Sequence, residues 1–470
     1  MRISRKFYKN MNTANPLLSN VFCADPYGIE YEGRLYVYGT NDNQQYKLVG
    51  DGGKNTYELI KSIVCFSTDD LVNWTYHGYI DVEAAASFII SSWAPAIVSR
   101  READGLTHFY MYFSNNGCGI GLLTSTNPLG PWTSPLDKPL IETGMKGIED
   151  VSNPFGPGVC IDDKGDAWLS FGAGIIKKGT ELYPGTARLV KLGKDMISLA
   201  SSFVEIKAPY FFEASDLNFI NGTYVFSYNN SWVERKEWPY SAPLPPACSM
   251  ACMVSKTPLI ADSWEYKNHY FLNPGEQGLN YSNNHTHLAK YMNQWYILYH
   301  TLTLQENTNS NGGFRSICMD KADVDEASVT INLCRGSRKG LSPLKCFNPY
   351  EKIPASTIFT SADISYENEK SGSGQIAVKS DDCGAWILVK NIDFNKGVRE
   401  FLLELKGKGE VHLRVDKISS ESISKAEVSS CDYEEVSLKL SASLDGLHDL
   451  YFIFSDKELY LRSWIANCFF

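Results

Sequence analysis

The chain has 470 residues, 43% hydrophobic and 21% charged, which is ordinary for a globular protein and enough for one large domain plus a small one, or about three domains. A formal net charge of -10, with no basic cluster beyond the opening MRISRKFYK, argues against nucleic acid as a partner. No apolar run reaches the roughly 18 residues of a membrane span, and the basic start is not followed by the apolar core of a secretory leader. The expectations are therefore no membrane partner and, as written, a cytoplasmic chain, or a secreted one if a leader has been removed.

Along the chain the apolar pattern has period two. GRLYVYGT, THFYMYFS, DAWLSFGA, GTYVFSYN and QWYILYHT read as aromatic-rich strands, and their landmarks Tyr36, Tyr110, Trp168, Tyr224 and Trp295 lie 56 to 74 residues apart. Long amphipathic helices are absent. Three of the following turns repeat one another: STDDLVNW ending at Trp74, STNPLGPW at Trp132 and SKTPLIADSW at Trp264. Several strands per repeat at this period predict a five-bladed β-propeller over residues 1–348. After GGFRSICMDKADVD the pattern ends in GLSPLKCFNPYEKIP and the Ser/Gly-rich ENEKSGSGQ. Short alternating segments such as GAWILVKNIDF, REFLLELKG and HDLYFIFSD then predict a β-sandwich of jelly-roll type over 353–470, with the boundary near 345–355. The fold class is all-β. Twelve scattered cysteines, with no C-x-x-C, are expected to be free and mostly buried thiols.

In a propeller the first strand of each blade lines the central channel. Asp25 stands eleven residues before Tyr36, Glu213 eleven before Tyr224 and His285 ten before Trp295, so the three would converge at one mouth. Two carboxylates facing each other across a pocket are what glycosidic hydrolysis needs, one as general acid and one as general base. Asp-Pro alone reads as a turn opener, and the repeat is what raises Asp25 above that. Glu213 follows the apolar APYFF, where burial would raise its pKa, as a general acid requires; a salt-bridged structural glutamate is the alternative. Trp93 in SSWAPAIV could stack on a sugar or pack in the core. His285 and His287 in NNHTHLAKY fit either a metal or hydrogen-bonded channel histidines. Phe155 and Arg315 complete the candidate substrate-binding set with Trp93 and His285.

These stretches resemble glycoside hydrolase family 43, five-bladed propeller enzymes acting on arabinose- and xylose-containing polymers, over about residues 15 to 345. CADPYGIEYEGRLYVYGTND is similar to the first-blade motif whose Asp, here Asp25, is the general base. YFFEASDLNFINGTYVFSY resembles the general-acid motif, implying Glu213. SSWAPAIV resembles W-A-P-D, GIGLLTSTNPLGPW the S-x-x-P-x-G-P-[WF] turn, and NNHTHLAKYMNQWYILYH the histidine motif beside a central calcium, which makes His285 a candidate metal ligand. The tail resembles a family 6 carbohydrate-binding module, although Ser356 stands where a calcium-holding Glu is usual. Trp386 and Trp464 there are either binding platforms or core.

The resemblance also implies a third carboxylate, which orients the acid and raises its pKa, but Gly156 stands at its position. Asp150 could loop in to substitute, the enzyme could be slowed, or the site could only bind. Ala96, where W-A-P-D has its Asp, is a second lost acid.

The function this implies is that of an inverting, exo-acting glycosidase releasing α-L-arabinofuranose from plant cell-wall polysaccharide or oligosaccharide. A β-D-xylosidase and a non-catalytic carbohydrate-binding protein are the alternatives. Inversion needs roughly 6.5–9.5 Å between the carboxyl groups. There is no G-x-S-x-G, and GDGGKN at 50–55 lacks phosphate-loop spacing, so no serine nucleophile and no organic cofactor are expected.

Overall fold

A strand with one apolar face needs a second sheet to cover it, and strands apolar on both faces need two. The computed structural model of the chain, which describes residues 9–173, 176–308, 310–371 and 375–468, answers this need with a ring of five stacked antiparallel sheets followed by a sandwich. The first eight residues of MRISRKFYK and residues 372–374 of the Ser/Gly stretch lie outside the described residues.

Blade 1 contains Ala24–Tyr31, Arg34–Thr40, Ser62–Thr68 and Trp74–Asp81. Blade 2 contains Ser92–Arg101, Thr107–Asn115, Gly119–Ser125 and Ile141–Glu142. Blade 3 runs Gly158–Ile161, Ala167–Phe171, Arg188–Lys191 and Val204–Glu205, and blade 4 runs Phe211–Ile220, Thr223–Asn230, Met250–Ser255 and Glu265–Phe271. Blade 5 has three strands, Thr286–Tyr291, Gln294–Thr301 and Ser316–Lys321.

The repeated turns have one physical basis. Thr68, Ser125 and Ser255 end the third strands of blades 1, 2 and 4, and each hydroxyl accepts the backbone N–H two residues on, at 3.2, 3.1 and 3.0 Å. The tryptophan closing each turn, Trp74, Trp132 or Trp264, is buried. Tyrosine is abundant because its hydroxyl reaches the next blade while its ring fills the core. Tyr38 donates to Pro128 O at 2.8 Å, Tyr112 to Met196 O at 2.7 Å and Tyr291 to Gly33 O at 2.9 Å, linking blades 1 to 2, 2 to 3 and 5 to 1.

The ring closes on the N-terminal segment. Leu17 N–H donates to Ile317 O at 2.8 Å and Cys23 N–H to Arg315 O at 2.9 Å, while Leu17, Leu18 and Val21 join the apolar core between blades 1 and 5. Lys9 anchors the segment through Nζ bonds to the carbonyls of Ala14 and Pro16, both 2.9 Å.

In the C-terminal part, Ile353–Pro354 pairs with Tyr460–Asn467 of the sandwich, and Thr357–Ile358 then crosses to add a fifth strand to blade 1 against Trp74 and Thr75. The described end of the Ser/Gly stretch docks there too, with Tyr79 N–H donating to Glu369 O at 2.7 Å. Trp386 and Trp464 are each 1% exposed, so both are core. All twelve cysteines are free, but Cys118, Cys346, Cys383 and Cys431 are exposed. The longest helix among the described residues is Asp42–Val49, and no helix there is long and apolar enough to cross a membrane.

Blades 3 and 4 touch backbone to backbone. A Cβ on Gly158 would stand 2.6 Å from Asp216 Cα, so only glycine fits without moving a strand. Gly158→Ala is expected to destabilise the propeller by about 1–3 kcal/mol, measurable as a lower denaturant midpoint with an unchanged slope.

Candidate active site

The first strands of the blades begin with a shared irregularity. Register breaks fall at Ala24/Tyr27, Trp93/Ala96 and Phe211/Glu213/Asp216. Asp25 (φ 50°), Ala94 (φ 44°) and Ala214 (φ 55°) adopt positive φ there, as does Gly156 (φ 56°) just ahead of blade 3. In Asp25, Ala94 and Gly156 this residue precedes a proline. Positive φ outside glycine costs on the order of 1–3 kcal/mol and persists where packing over-determines it. Here each bulge turns a side chain into one hollow of about 590 Å³. Its walls take one residue from the start of every blade: Asp25, Trp93, Phe155, Glu213 and His285, joined by Arg315.

Asp25 is buried and heavily tied. Oδ1 accepts from Arg315 Nη1 at 3.0 Å and lies 3.4 Å from His285 Nδ1; Oδ2 accepts from the Thr40 hydroxyl at 2.7 Å. Burial opposes ionisation, but the Arg315 guanidinium, with His285 after it, outweighs burial and holds the carboxyl well below the usual range. His300 comes within 3.3 Å of Oδ1, yet its Nδ1 accepts the Asp25 N–H at 3.1 Å while Nε2–H donates to Asn283 O at 3.0 Å. That makes His300 a neutral ring and the 3.3 Å approach a contact, not an ion pair. Burial also lowers its affinity for a proton. Arg315 is fixed from behind by Asp42, which takes Nε and Nη2 at 2.9 Å each, and its guanidinium lies 4.7 Å over the Tyr57 ring.

Glu213 faces the same hollow and is half-buried. Loss of hydration pushes its carboxyl up to about 7; the Asp25 charge adds to the rise, and His285 and Arg315 oppose it. Near neutral pH the two acids therefore differ, Asp25 ionised and Glu213 able to hold a proton. That pairing suits general base and general acid.

Gly156 occupies the place of the third carboxylate implied by the resemblance. A Cβ there would lie 3.1 Å from Ala214 N, directly beside the strand of the acid. Asp150 does not substitute: it is exposed and clamps Arg188 Nη2 with both oxygens at 2.6 and 2.7 Å, outside the hollow. Its nearest strong cation holds it away. Blade 3 instead touches the acid's strand through the Gly156 carbonyl, which accepts from the Ser215 hydroxyl. Ala96 is fully buried in the core between blades.

Calcium requires six to eight oxygen ligands. His285 has one carboxylate beside it, and that carboxylate is already paired with a guanidinium that would repel a cation. His287 on the axis uses both ring nitrogens, 3.1 Å from the Asp216 carboxylate and 3.0 Å from Gly28 O, beneath the stacked Tyr27 ring at 3.7 Å. No cluster of three or more His, Cys, Asp or Glu suited to a metal occurs among the described residues. These residues do not fit calcium.

Trp93 and Phe155 meet edge to face at 6.1 Å as an aromatic wall, and the Trp93 indole donates to Tyr57 O at 2.9 Å. Sequence reasoning passed over Thr40, Asp42, Tyr57, Trp232, Asn283 and His300. Thr40, Ser114 and His300 fall at matching points near the ends of YGT, YFS and LYH, so aligning the strand ends would have exposed the first and last. Tyr57 and Trp232 sit on loops between strands, where no periodic signal exists.

Residues 13–327 match the family described as Glycosyl hydrolases family 43. The chain is 32% identical to an arabinoxylan arabinofuranohydrolase of Paenibacillus polymyxa, covering 98% of this chain and 75% of that protein. It is likewise 32% identical to an arabinoxylan arabinofuranohydrolase of Bacillus subtilis (strain 168), covering 95% and 90%. Its structure is similar to the crystal structure of a glycoside hydrolase family 43 arabinoxylan arabinofuranohydrolase from Bacillus subtilis in complex with cellotetraose, with TM-score 0.90, 29% identity and coverage of 98% and 99%. Sequence, fold and the paired acids in one hollow agree: the chain belongs to glycosyl hydrolase family 43.

Proposed function

We propose that the protein is an exo-acting, inverting glycosidase that removes α-L-arabinofuranose from arabinoxylan-type polysaccharide. The observation carrying this reading is the meeting of Asp25 and Glu213 in one hollow with opposite preferences for a proton. Glu213 gives its proton to the glycosidic oxygen as the bond to the anomeric carbon breaks. Water attacks that carbon from the opposite side and passes a proton to Asp25. Proton and bond counts balance, and no covalent intermediate forms. Trp93 and Phe155 form an apolar wall for the sugar ring, while Asn116, Asn153, Asn283 and the 51% exposed Trp232 face the side from which a polymer would approach. The names of the two whole-chain relatives favour arabinose as the released sugar. The loss of the third carboxylate at Gly156 does not disarm the site, because burial and Asp25 already raise Glu213.

Arabinoxylan, linear arabinan and xylobiose, each digested and followed by NMR, test the reading. Free arabinose appearing first as the anomer opposite to the bond cleaved is expected. Xylose as the main product would shift the reading to a xylosidase, and retention would remove Asp25 as base. Asp25→Asn and Glu213→Gln should each lower kcat by at least about a hundredfold. The pH profile should be bell-shaped: activity falls as pH rises through about 7, where Glu213 loses its proton, and falls again only in acid below the ordinary carboxylate range, where Asp25 gains one. Gly156→Asp would place a like charge beside the acid's strand, so the alkaline limb should move to higher pH, whereas Gly156→Ala should leave it in place.

A further inference from the structure

The blades share a link that blade 1 uses differently. A positive-φ residue at a bulge turns its N–H away from the strand ladder and needs another acceptor. In three successive blades that acceptor is a buried side chain near the end of the preceding blade's second strand. His300 Nδ1 serves Asp25 N–H at 3.1 Å, Thr40 Oγ1 serves Ala94 N–H at 2.8 Å and Ser114 Oγ serves Gly156 N–H at 2.9 Å. Of the three, Thr40 is the one that donates a hydrogen to a carboxylate: its hydroxyl points to Asp25 Oδ2 at 2.7 Å, whereas His300 Nδ1 accepts and only touches Oδ1.

The two oxygens of Asp25 are then unequal. Oδ1 is crowded by Arg315 at 3.0 Å, His300 at 3.3 Å and His285 at 3.4 Å. Among the described residues Oδ2 has Thr40 as its hydrogen-bond partner, leaving a lone pair for water. We propose that Thr40 is a positioning residue for the reaction, using a generic blade-to-blade link to hold Oδ2 of Asp25 as the oxygen that takes the proton from the attacking water. The inference rests on the function proposed above.

The charged and titratable groups facing Asp25 are Arg315, His285, His300, Glu213 across the hollow, and Tyr57 against the guanidinium. None of them is altered in Thr40→Val, which keeps the shape of the side chain and removes the hydroxyl. The ionised form of Asp25 then loses a donor. The acid limb of the kcat profile should move up by about one pH unit, and kcat at neutral pH should fall about tenfold or more, with KM within about twofold of wild type. Thr40→Ser keeps both bonds and should match wild type in kcat and in the limb. The melting temperature should fall in Thr40→Val whatever the role, because Ala94 N–H loses its acceptor, so it does not decide the matter. An active wild type whose Thr40→Val variant loses rate evenly with an unmoved acid limb overturns the proposal; so does a folded Thr40→Ser with a moved limb or tenfold loss. If Thr40→Val does not fold, Thr40→Ala is read by the same criteria. A wild type that hydrolyses no arabinoside or xyloside overturns the functional reading itself, a separate failure.

Discussion

The hollow at the mouth of the propeller depends on one guanidinium held between two buried carboxylates. Arg315 is 3% exposed, gives Nη1 to Asp25 and grips Asp42 through Nε and Nη2. Its backbone carbonyl also takes the Cys23 N–H, so a bond that closes the ring and the bond that keeps Asp25 ionised come from the same residue. Breaking a buried pair from one side costs about 3–5 kcal/mol because a bare charge remains. Here the seam bond fixes the backbone of Arg315 and Asp42 fixes its guanidinium, so ring closure and the charge beside Asp25 are set at one residue.

Across the hollow the logic is reversed. Glu213 has no cation of its own at short range; poor hydration and the Asp25 charge keep its proton on, while Arg315 and His285 act on it from a distance. Blade 3 supplies its carbonyl and Phe155 but no carboxylate. Next to Glu213 in the chain, the Ser215 hydroxyl on Gly156 O ties its strand to blade 3. The two carboxyl groups of the hollow are therefore made different by their surroundings, not by a third acid. The sandwich contributes support: its Thr357–Ile358 strand completes the outer edge of blade 1, the blade that carries Asp25, and its tryptophans fill its own core.

Much of this was legible because repeats leave marks. The aromatic strands, the three Trp-closed turns and the common offset of Asp25 and Glu213 announced the blades and the meeting of these two carboxyl groups in one hollow. The offset itself hides a difference. Asp25 occupies the positive-φ position of its bulge, whereas Glu213 stands one residue before the corresponding Ala214. From bulge to turn the two hairpins are equally long, and the spacing to the landmark tyrosines comes out equal because Tyr36 is the third residue of its strand and Tyr224 the second of its own. Asp150 shows where linear proximity misleads: it lies near Gly156 along the chain, but Arg188, on the third strand of blade 3, captures it.

What the sequence by itself determined is what periodicity and local turn chemistry encode: all-β strands, five repeats, a following sandwich and the two carboxyl residues that line one hollow. What only the tertiary structure decided are relations between residues far apart in the chain. Arg315 meets Asp25 and Asp42 across more than 270 positions, Thr40 ties Asp25 to Ala94, and His300 caps Asp25 from the last blade. The physical reason is that charge state and hydrogen-bond partnership depend on distance and burial, and both are set when the ring closes, not by any local pattern.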